Sequence, residues 1–497
     1  MTISYNDYLA WLKNPNSNRC LLVVLKGYNK TTGLEETFCF STKEYATKPT
    51  DTPRSWQFEP RLTKDGSPSL TRSIPFFGEK GDYQEGDIKL VNTDGRFDDW
   101  VVDAFEGRPI FKYLGDPSWS YADFTAYPFF TGVIERIGIE TDVITIKIRD
   151  KMGILDAPIQ QNTLTTGETN EPIPVSYGKV NNVTPRLINA ASHQYQWHDG
   201  IVQSLDTVYD NGVSISFTAN NATGTFTLTS QPAGTITCTG QGAKPSGTYL
   251  NTAAGIIYDI LTRMGDPLNR LNANDIDSTS LNALPRYLIG LYISERENKL
   301  NVLERICASM RAAFTFDRNG KFKVVRFVDP NTQTAKYEIT DLNIKATSLN
   351  IEQIKTPQWQ TTLGYEKNYT VQNNLQTALT ETRRAWLKES FRKAIATDAM
   401  VKSTHLNAEN PKLMETCLDS LSDANTEATA IQAILGKQCF IATFIAVDKM
   451  FLYDPGDVIM LTHPRLRLQN GVKMQILHVT DYETTKETQV KAWFYYV

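Results

Sequence analysis

Two runs, Phe129-Phe130-Thr131-Gly132-Val133-Ile134-Glu135-Arg136-Ile137-Gly138-Ile139 and Val143-Ile144-Thr145-Ile146-Lys147-Ile148-Arg149-Asp150, flank the short polar break Glu140-Thr141-Asp142. Strand side chains alternate between two faces, and β-branched residues favour that pleated geometry. Joined by so short a break, the runs satisfy their backbones by pairing with each other, so residues 129–150 are a β-hairpin. Cys20-Leu21-Leu22-Val23-Val24-Leu25 and Thr37-Phe38-Cys39-Phe40, separated by Gly27 and Gly33, read as another. Asp87–Asn92, ending in Thr93-Asp94-Gly95-Arg96, and Arg108–Gly115 are further strands. Ser41–Leu70 is rich in Pro, Thr, Ser and Asp, with Trp56 and Phe58 as anchors, and reads as a long loop laid on a neighbouring surface. After a short amphipathic start, residues 1–158 therefore form an all-β unit, a barrel or sandwich.

The chain has 497 residues, too many for one core; a prior of about 150 per domain argues for roughly three. Gln160–Pro172 shifts to Thr, Gly, Asn and Glu, which marks a linker. Short strands follow at Val175–Gly178, Val208–Val213, Gly224–Thr229 and Gly234–Cys238, and this small β unit ends near Gly242. At Thr252 the period changes: Ala253, Ile256, Ile257, Ile260, Leu261 and Met264 form one helical face, and Gly265 stops it. A second helix is expected over Lys299–Ala313, with Val302, Leu303, Ile306, Met310 and Ala313 as its stripe, leading into a hairpin around Arg318-Asn319-Gly320. The last third opens with Tyr337–Thr340 and Thr361–Tyr365, passes through a polar, helix-compatible region at Glu381–Leu435, and returns to strands at Cys439–Leu452, Val458–Leu461, Lys473–Val479 and Thr488–Tyr496. No fixed-period repeat is present, although barrel-like units at both ends leave room for a diverged duplication.

Composition narrows the function classes. Lys and Arg total 51 against 55 Asp and Glu, a net charge of −4, so the chain lacks the positive excess that nucleic-acid binding rewards. The first residues show no basic-then-apolar leader, and no stretch approaches the ~20 apolar residues of a membrane span; the expectation is a soluble, unexported chain. Six scattered cysteines, Cys20, Cys39, Cys238, Cys307, Cys417 and Cys439, are expected to be reduced and mostly buried.

Chemical signatures are sparse. His193 and His198 are five apart without a ligand run of zinc spacing, and His463 in Thr462-His463-Pro464-Arg465 reads as a turn residue. No nucleophile elbow, phosphate-binding loop or zinc-protease helix is present. The pairs Asp98-Asp99 and Glu35-Glu36 read as solvated loop residues, and Asn92–Asp99 as a turn lacking the order of a calcium loop. No catalytic, cofactor or metal residue is assigned.

Four segments have a joint signature: the hairpin from Phe130-Thr131-Gly132-Val133-Ile134-Glu135 to Ile148-Arg149-Asp150-Lys151; the succession Glu171–Pro185, Tyr195–Gly200, Val208–Gly212, Gly224–Leu228 and Pro232–Gly242; the stretch from Thr252 through Ile289–Tyr292 and Ala308–Phe314 to Val328-Asp329-Pro330; and Tyr453-Asp454-Pro455-Gly456-Asp457-Val458-Ile459 with Leu468–Gly471. Together they resemble tail-tip or baseplate hub proteins of long-tailed, siphophage-like bacteriophages, over most of residues 80–497. The resemblance implies a mainly β chain with α+β insertions: a first tail-tube-like β-barrel (1–158), a small β-rich inserted domain (159–248), an α+β, helix-containing domain (249–330) and a second barrel with a helical insertion (331–497). It further implies a structural, non-enzymatic virion protein of the tail tip, assembled in the host cytoplasm as a trimeric hub without a cofactor or membrane anchor. Its expected partners are further copies of itself, the distal tail protein ring, the tape measure protein and a central fibre or spike, with DNA passing transiently through the lumen during ejection. In this reading the 41–70 loop is ordered only against neighbours. Two other readings stand beside it: a carbohydrate-binding adhesin using exposed aromatics such as Trp197, and a tail-borne cell-wall hydrolase with Asp98 or Asp99 as acid.

Overall fold

The computed structural model describes residues 2–14, 16–63, 70–77, 85–373, 375, 378–409, 412–447, 453–482 and 487–496. The first hairpin is β1 (Cys20–Asn29) with β2 (Leu34–Ser41). Then come β3 (Leu70–Ser73), β4 (Glu85–Val91), β5 (Pro109–Gly115), β6 (Pro128–Ile139) and β7 (Val143–Arg149). All but β3 form one antiparallel sheet in the order β2-β1-β5-β6-β7-β4. Ile144, Ile146 and Ile148 alternate inward as the sequence demands, meeting Val23, Leu25, Ile88 and Ile134.

A sheet becomes a barrel only if its two edges find partners, and residues 59–63 supply them. On the β2 side, Glu59 N–H donates to Cys39 O at 3.0 Å and Ser41 N–H to Glu59 O at 2.8 Å; on the β4 side, Thr63 N–H donates to Lys89 O at 3.1 Å and Val91 N–H to Arg61 O at 2.9 Å. Residues 41–63 are thus part of their own barrel. Tyr45 and Phe58 face each other in a short antiparallel pair and are buried with Cys20, Leu22, Tyr113 and Phe124, which corrects the expectation that this loop waits for a neighbour. Residues 64–69 lie outside the described residues.

The small β unit is two four-stranded sheets, with Val180, Val183, Trp197, Val208, Phe226 and Cys238 buried among them. Beyond it, α1 (Ala253–Thr262) ends three residues before Gly265. The next helix, α2 (Lys299–Ala308), is shorter than its apolar stripe suggested. Arg311 adopts φ 52°, reversing the chain, so Met310 is buried in the turn and Ala313 falls in the strand Ala312–Phe316, which pairs with Phe322–Arg326. Burial of the stripe continues; the helix does not.

The second barrel contains β8 (Tyr337–Thr340), β9 (Asn350–Gln353), β10 (Cys439–Ala446), β11 (Val458–Thr462), β12 (Val472–Tyr482) and β13 (Glu487–Tyr495). Their order is β8-β11-β12-β13-β10-β9, around a core including Ile339, Phe444, Ile459, Ile476 and Phe494. The connection after β8 spans its edges: Ile344 bridges Ala446, and Lys345 N–H donates to Ile445 O at 2.8 Å. Residues 448–452, expected as the end of a strand, lie outside the described residues. The polar region 381–435 is not wholly helical. Arg392–Thr397 and Leu413–Glu415 are strands on either side of Gln360–Tyr365, and this sheet packs beneath α3 (Leu421–Leu435).

Trp197 has no exposed surface, and its ring leaves no room for a side chain at Gly240. Trp197→Ala should cost about 3–5 kcal/mol, the range for emptying a large core position, read as a lowered urea midpoint.

Candidate functional site at the seam between the barrels

The two barrels repeat one plan. Taking the closing segment 59–63 as a strand, the first barrel reads β1-β5-β6-β7-β4-(59–63) and the second β8-β11-β12-β13-β10-β9. Setting aside β2, an additional strand that the first barrel places between β1 and the closing segment, each uses in chain order its first strand, then the closing strand, then four more, and the last three form a meander. Both carry a bulge at the same point, between Ile134 and Arg136 on β6 and between Ile476 and His478 on β12. Just before it, Gly107 N–H donates to Ile134 O at 2.8 Å and Ile134 N–H to Arg108 O at 2.9 Å; in the second barrel Gly456 N–H donates to Ile476 O at 2.8 Å and Ile476 N–H to Asp457 O at 2.9 Å. Gly107 and Gly456 take φ of 74° and 95°, which an L side chain resists, so both bends keep glycine. One difference is that the first strand is antiparallel to its neighbour in the first barrel and parallel in the second.

β3 joins the barrels. It leaves the first and pairs with the second, Leu70 opposite Asp481, Arg72 opposite Val479 and Ser73 opposite His478. Leu70, Arg72 and Ile74 are all buried, and Arg72 is an arginine with no exposed surface. Its guanidinium bridges Asp454 and Asp481, the latter at 2.9 Å. Arg318, at the tip of the hairpin after α2, stands 3.7 Å from Asp454, and Thr488 Oγ1 donates to Asp481 at 2.9 Å. Burial raises both carboxyls, but Arg318 and Arg72 outweigh it at Asp454, which is held below the carboxylate range; at Asp481 burial wins over Arg72. A second buried carboxylate, Glu427 on α3, accepts from Arg311 at 2.5 Å, Arg326 at 2.9 Å and Tyr287 at 3.1 Å, pinning α3 to the hairpin. These acids are neutralised by the arginines beside them, an arrangement that locks elements together.

The residues weighed for chemistry in the sequence are dispersed. Asp98 and Asp99 are exposed in a 3-10 turn, where Asn92 Nδ2 donates to Asp98 at 2.9 Å and Asn92 Oδ1 accepts from Phe97 N–H at 3.0 Å, so 92–99 is a turn closed on itself. Glu35 pairs with Lys26 and Arg108, both at 2.6 Å, and Glu36 with Asn29. His463 accepts the Arg465 N–H at 3.2 Å, as a turn residue does. Trp197 is core, which removes it as a glycan platform. All six cysteines are free, five of them buried. Among the described residues no group of three His, Cys, Asp or Glu is placed to hold a metal. His198 is buried and accepts the Ser176 N–H at 3.0 Å; burial, aided by Arg263, pulls its pKa down to about 3.

Sequence reasoning missed Arg72 as the joint. Its signal was faint: Leu70, Arg72 and Ile74 alternate at the end of a segment read as loop. Arg72→Met leaves Asp454 and Asp481 without their shared cation and should cost about 3–5 kcal/mol, measured by thermal unfolding. For His198 the sign follows from linkage: the unfolded chain takes up the proton near pH 6.5 and the fold refuses it down to about 3, so stability falls across that window on acidification. The stability advantage of the natural protein over His198→Asn should therefore shrink between pH 7 and pH 4, followed by melting temperature.

No protein-family model matches this chain, and no curated protein sequence matches it. Solved structures do. A tail protein from Neisseria meningitidis MC58 is 10% identical with a TM-score of 0.42, over 96% of each chain. The 43 kDa tail protein of prophage MuSo2 from Shewanella oneidensis is 11% identical with a TM-score of 0.42, over 95% of each. The prophage tail protein gp18 from Listeria monocytogenes is 8% identical with a TM-score of 0.41, over 95% of this chain and 94% of that one. Each of these three is a tail protein, two of them from prophages, and the likeness to each runs along nearly the whole of both chains.

Proposed function

We propose that this chain is a structural protein of a phage tail, and that three copies form the hub of the tail tip or baseplate. The repeated barrel is the observation that supports this. Two units of one strand order, sharing even a bulge and a glycine bend, let one chain fill two equivalent positions around an axis. Three such chains present six barrels to a sixfold ring above and threefold symmetry to whatever lies below. The hub would then join the distal tail ring to a central fibre or spike, with the tape measure protein and DNA in its lumen. A net charge of −4 suits a channel along which DNA must slide, because few phosphate contacts would hold it. The protein would be a virion component, assembled in the host cytoplasm, that acts by position and does not turn over a substrate.

The test is the mass of the purified protein by sedimentation, followed by cryo-electron microscopy of the intact particle. Three copies ringing the distal end of the tail tube are expected. A monomer held away from the tube axis and binding glycans would overturn the reading in favour of an adhesin.

A further inference from the structure

The barrels differ at one place that their equivalence makes informative. In the second, the outer edge of β12 beyond the bulge, His478–Asp481, is covered by β3. The equivalent stretch of the first barrel is Arg136–Ile139 on β6. There β5 pairs no further than Val133, Gly107 and Arg108 close on Ile134, and β7 occupies the inner side. Among the described residues nothing pairs with the outer side of 136–139. The free groups can be named. Glu140 N–H donates to Val143 O at the turn, so by ladder alternation Gly138 and Arg136 bond to β7, while the N–H and C=O of Ile137 and Ile139 point outward. An open edge of this kind is a template for another strand.

We infer that Arg136–Ile139 receives an extended segment from a second copy of this chain, a contact that rests on the ring reading above. The donor follows from the same equivalence. β3 leaves the first barrel between its closing segment and β4; the corresponding place in the second barrel, between β9 and β10, holds residues 354–438. That insertion carries Ile395, Met400 and Leu406 exposed at 54%, 72% and 97%, apolar surface that its own chain leaves uncovered. β3 joins first barrel to second within a chain, and the insertion joins second barrel to the first barrel of the next copy. The two joints differ in chemistry. Where the second barrel offers Asp454 and Asp481 to Arg72, the first has Phe105 and Ile139 at the matching positions, so the arriving segment places an apolar side chain where β3 has its arginine. Such a head-to-tail contact, repeated, closes into a ring.

Hydrogen exchange on the unmodified protein, assembled and diluted to monomer, tests the contact directly. The Ile137 and Ile139 amides should exchange at least ~100-fold more slowly in the assembly. Equal exchange in both states overturns the inference. Ile139→Pro removes one outward donor and leaves the β7 bonds in place, so it should yield a monomer by sedimentation that keeps the natural circular-dichroism spectrum; a ring as stable as the natural one overturns the proposal, and should the variant misfold, the exchange measurement decides. A trimer with these amides unprotected removes the contact and keeps the hub reading. Protection in an assembly of another copy number keeps the contact and removes the trimer. A protein monomeric at every concentration overturns the contact, and the copy number in the particle then decides the hub reading separately.

Discussion

Burial of Arg72 is the constraint on which the arrangement of this chain depends. An arginine with no access to water is tolerable only where carboxylates meet it, and here the two come from different places in the second barrel, Asp454 before β11 and Asp481 on β12. The ion cluster adds little net stability by itself, since desolvation offsets much of the attraction. Its effect is positional: β3 sits in register only where both acids are reached, and so the first barrel is fixed against the second. Arg318 extends the same cluster to the hairpin after α2, which Glu427 in turn fastens to α3. Barrels, hairpin and helical insertion are thereby held by two buried charge clusters.

Much of this fold was legible from period alone. The hairpin 129–150, the strands β8, β11, β12 and β13 of the second barrel and the apolar face of α1 emerged where the sequence placed them, because each has a clear period; β9 (Asn350–Gln353) went unread. The misreadings share a cause. α2 stops at Ala308 although its stripe continues to Ala313, because buried residues in a turn and in a strand lie in line with those of the helix. Arg392–Thr397 and Leu413–Glu415 alternate too weakly to show as strands; they are held by Gln360–Tyr365, far away in sequence. The segment 59–63 pairs with two strands while having no strand pattern at all. Each was set by a partner distant along the chain, which local sequence does not encode.

The shared plan of the two barrels shows the same limit from the other side. A bulge after an isoleucine and a positive-φ glycine occur in both barrels, whereas residues at matching positions differ, Phe105 against Asp454 and Ile139 against Asp481. Backbone geometry is shared because a barrel closes in few ways; side chains at matching positions are free to differ, and only in the second barrel do they meet the arginine of β3. The chemistry sought in the sequence, in Asp98, Asp99, Trp197, His198 and His463, resolves into turns and core.

Carrying two barrels on one chain also changes how an assembly forms. The joint made by β3 is intramolecular, so its partners are never diluted, and it costs no translational freedom when rings are built. In a closed ring of such chains every second joint is complete before molecules meet, and half as many independent bodies must be captured. A hub of this design would nucleate at lower concentration than a ring of single barrels, and it would come apart along three seams instead of six.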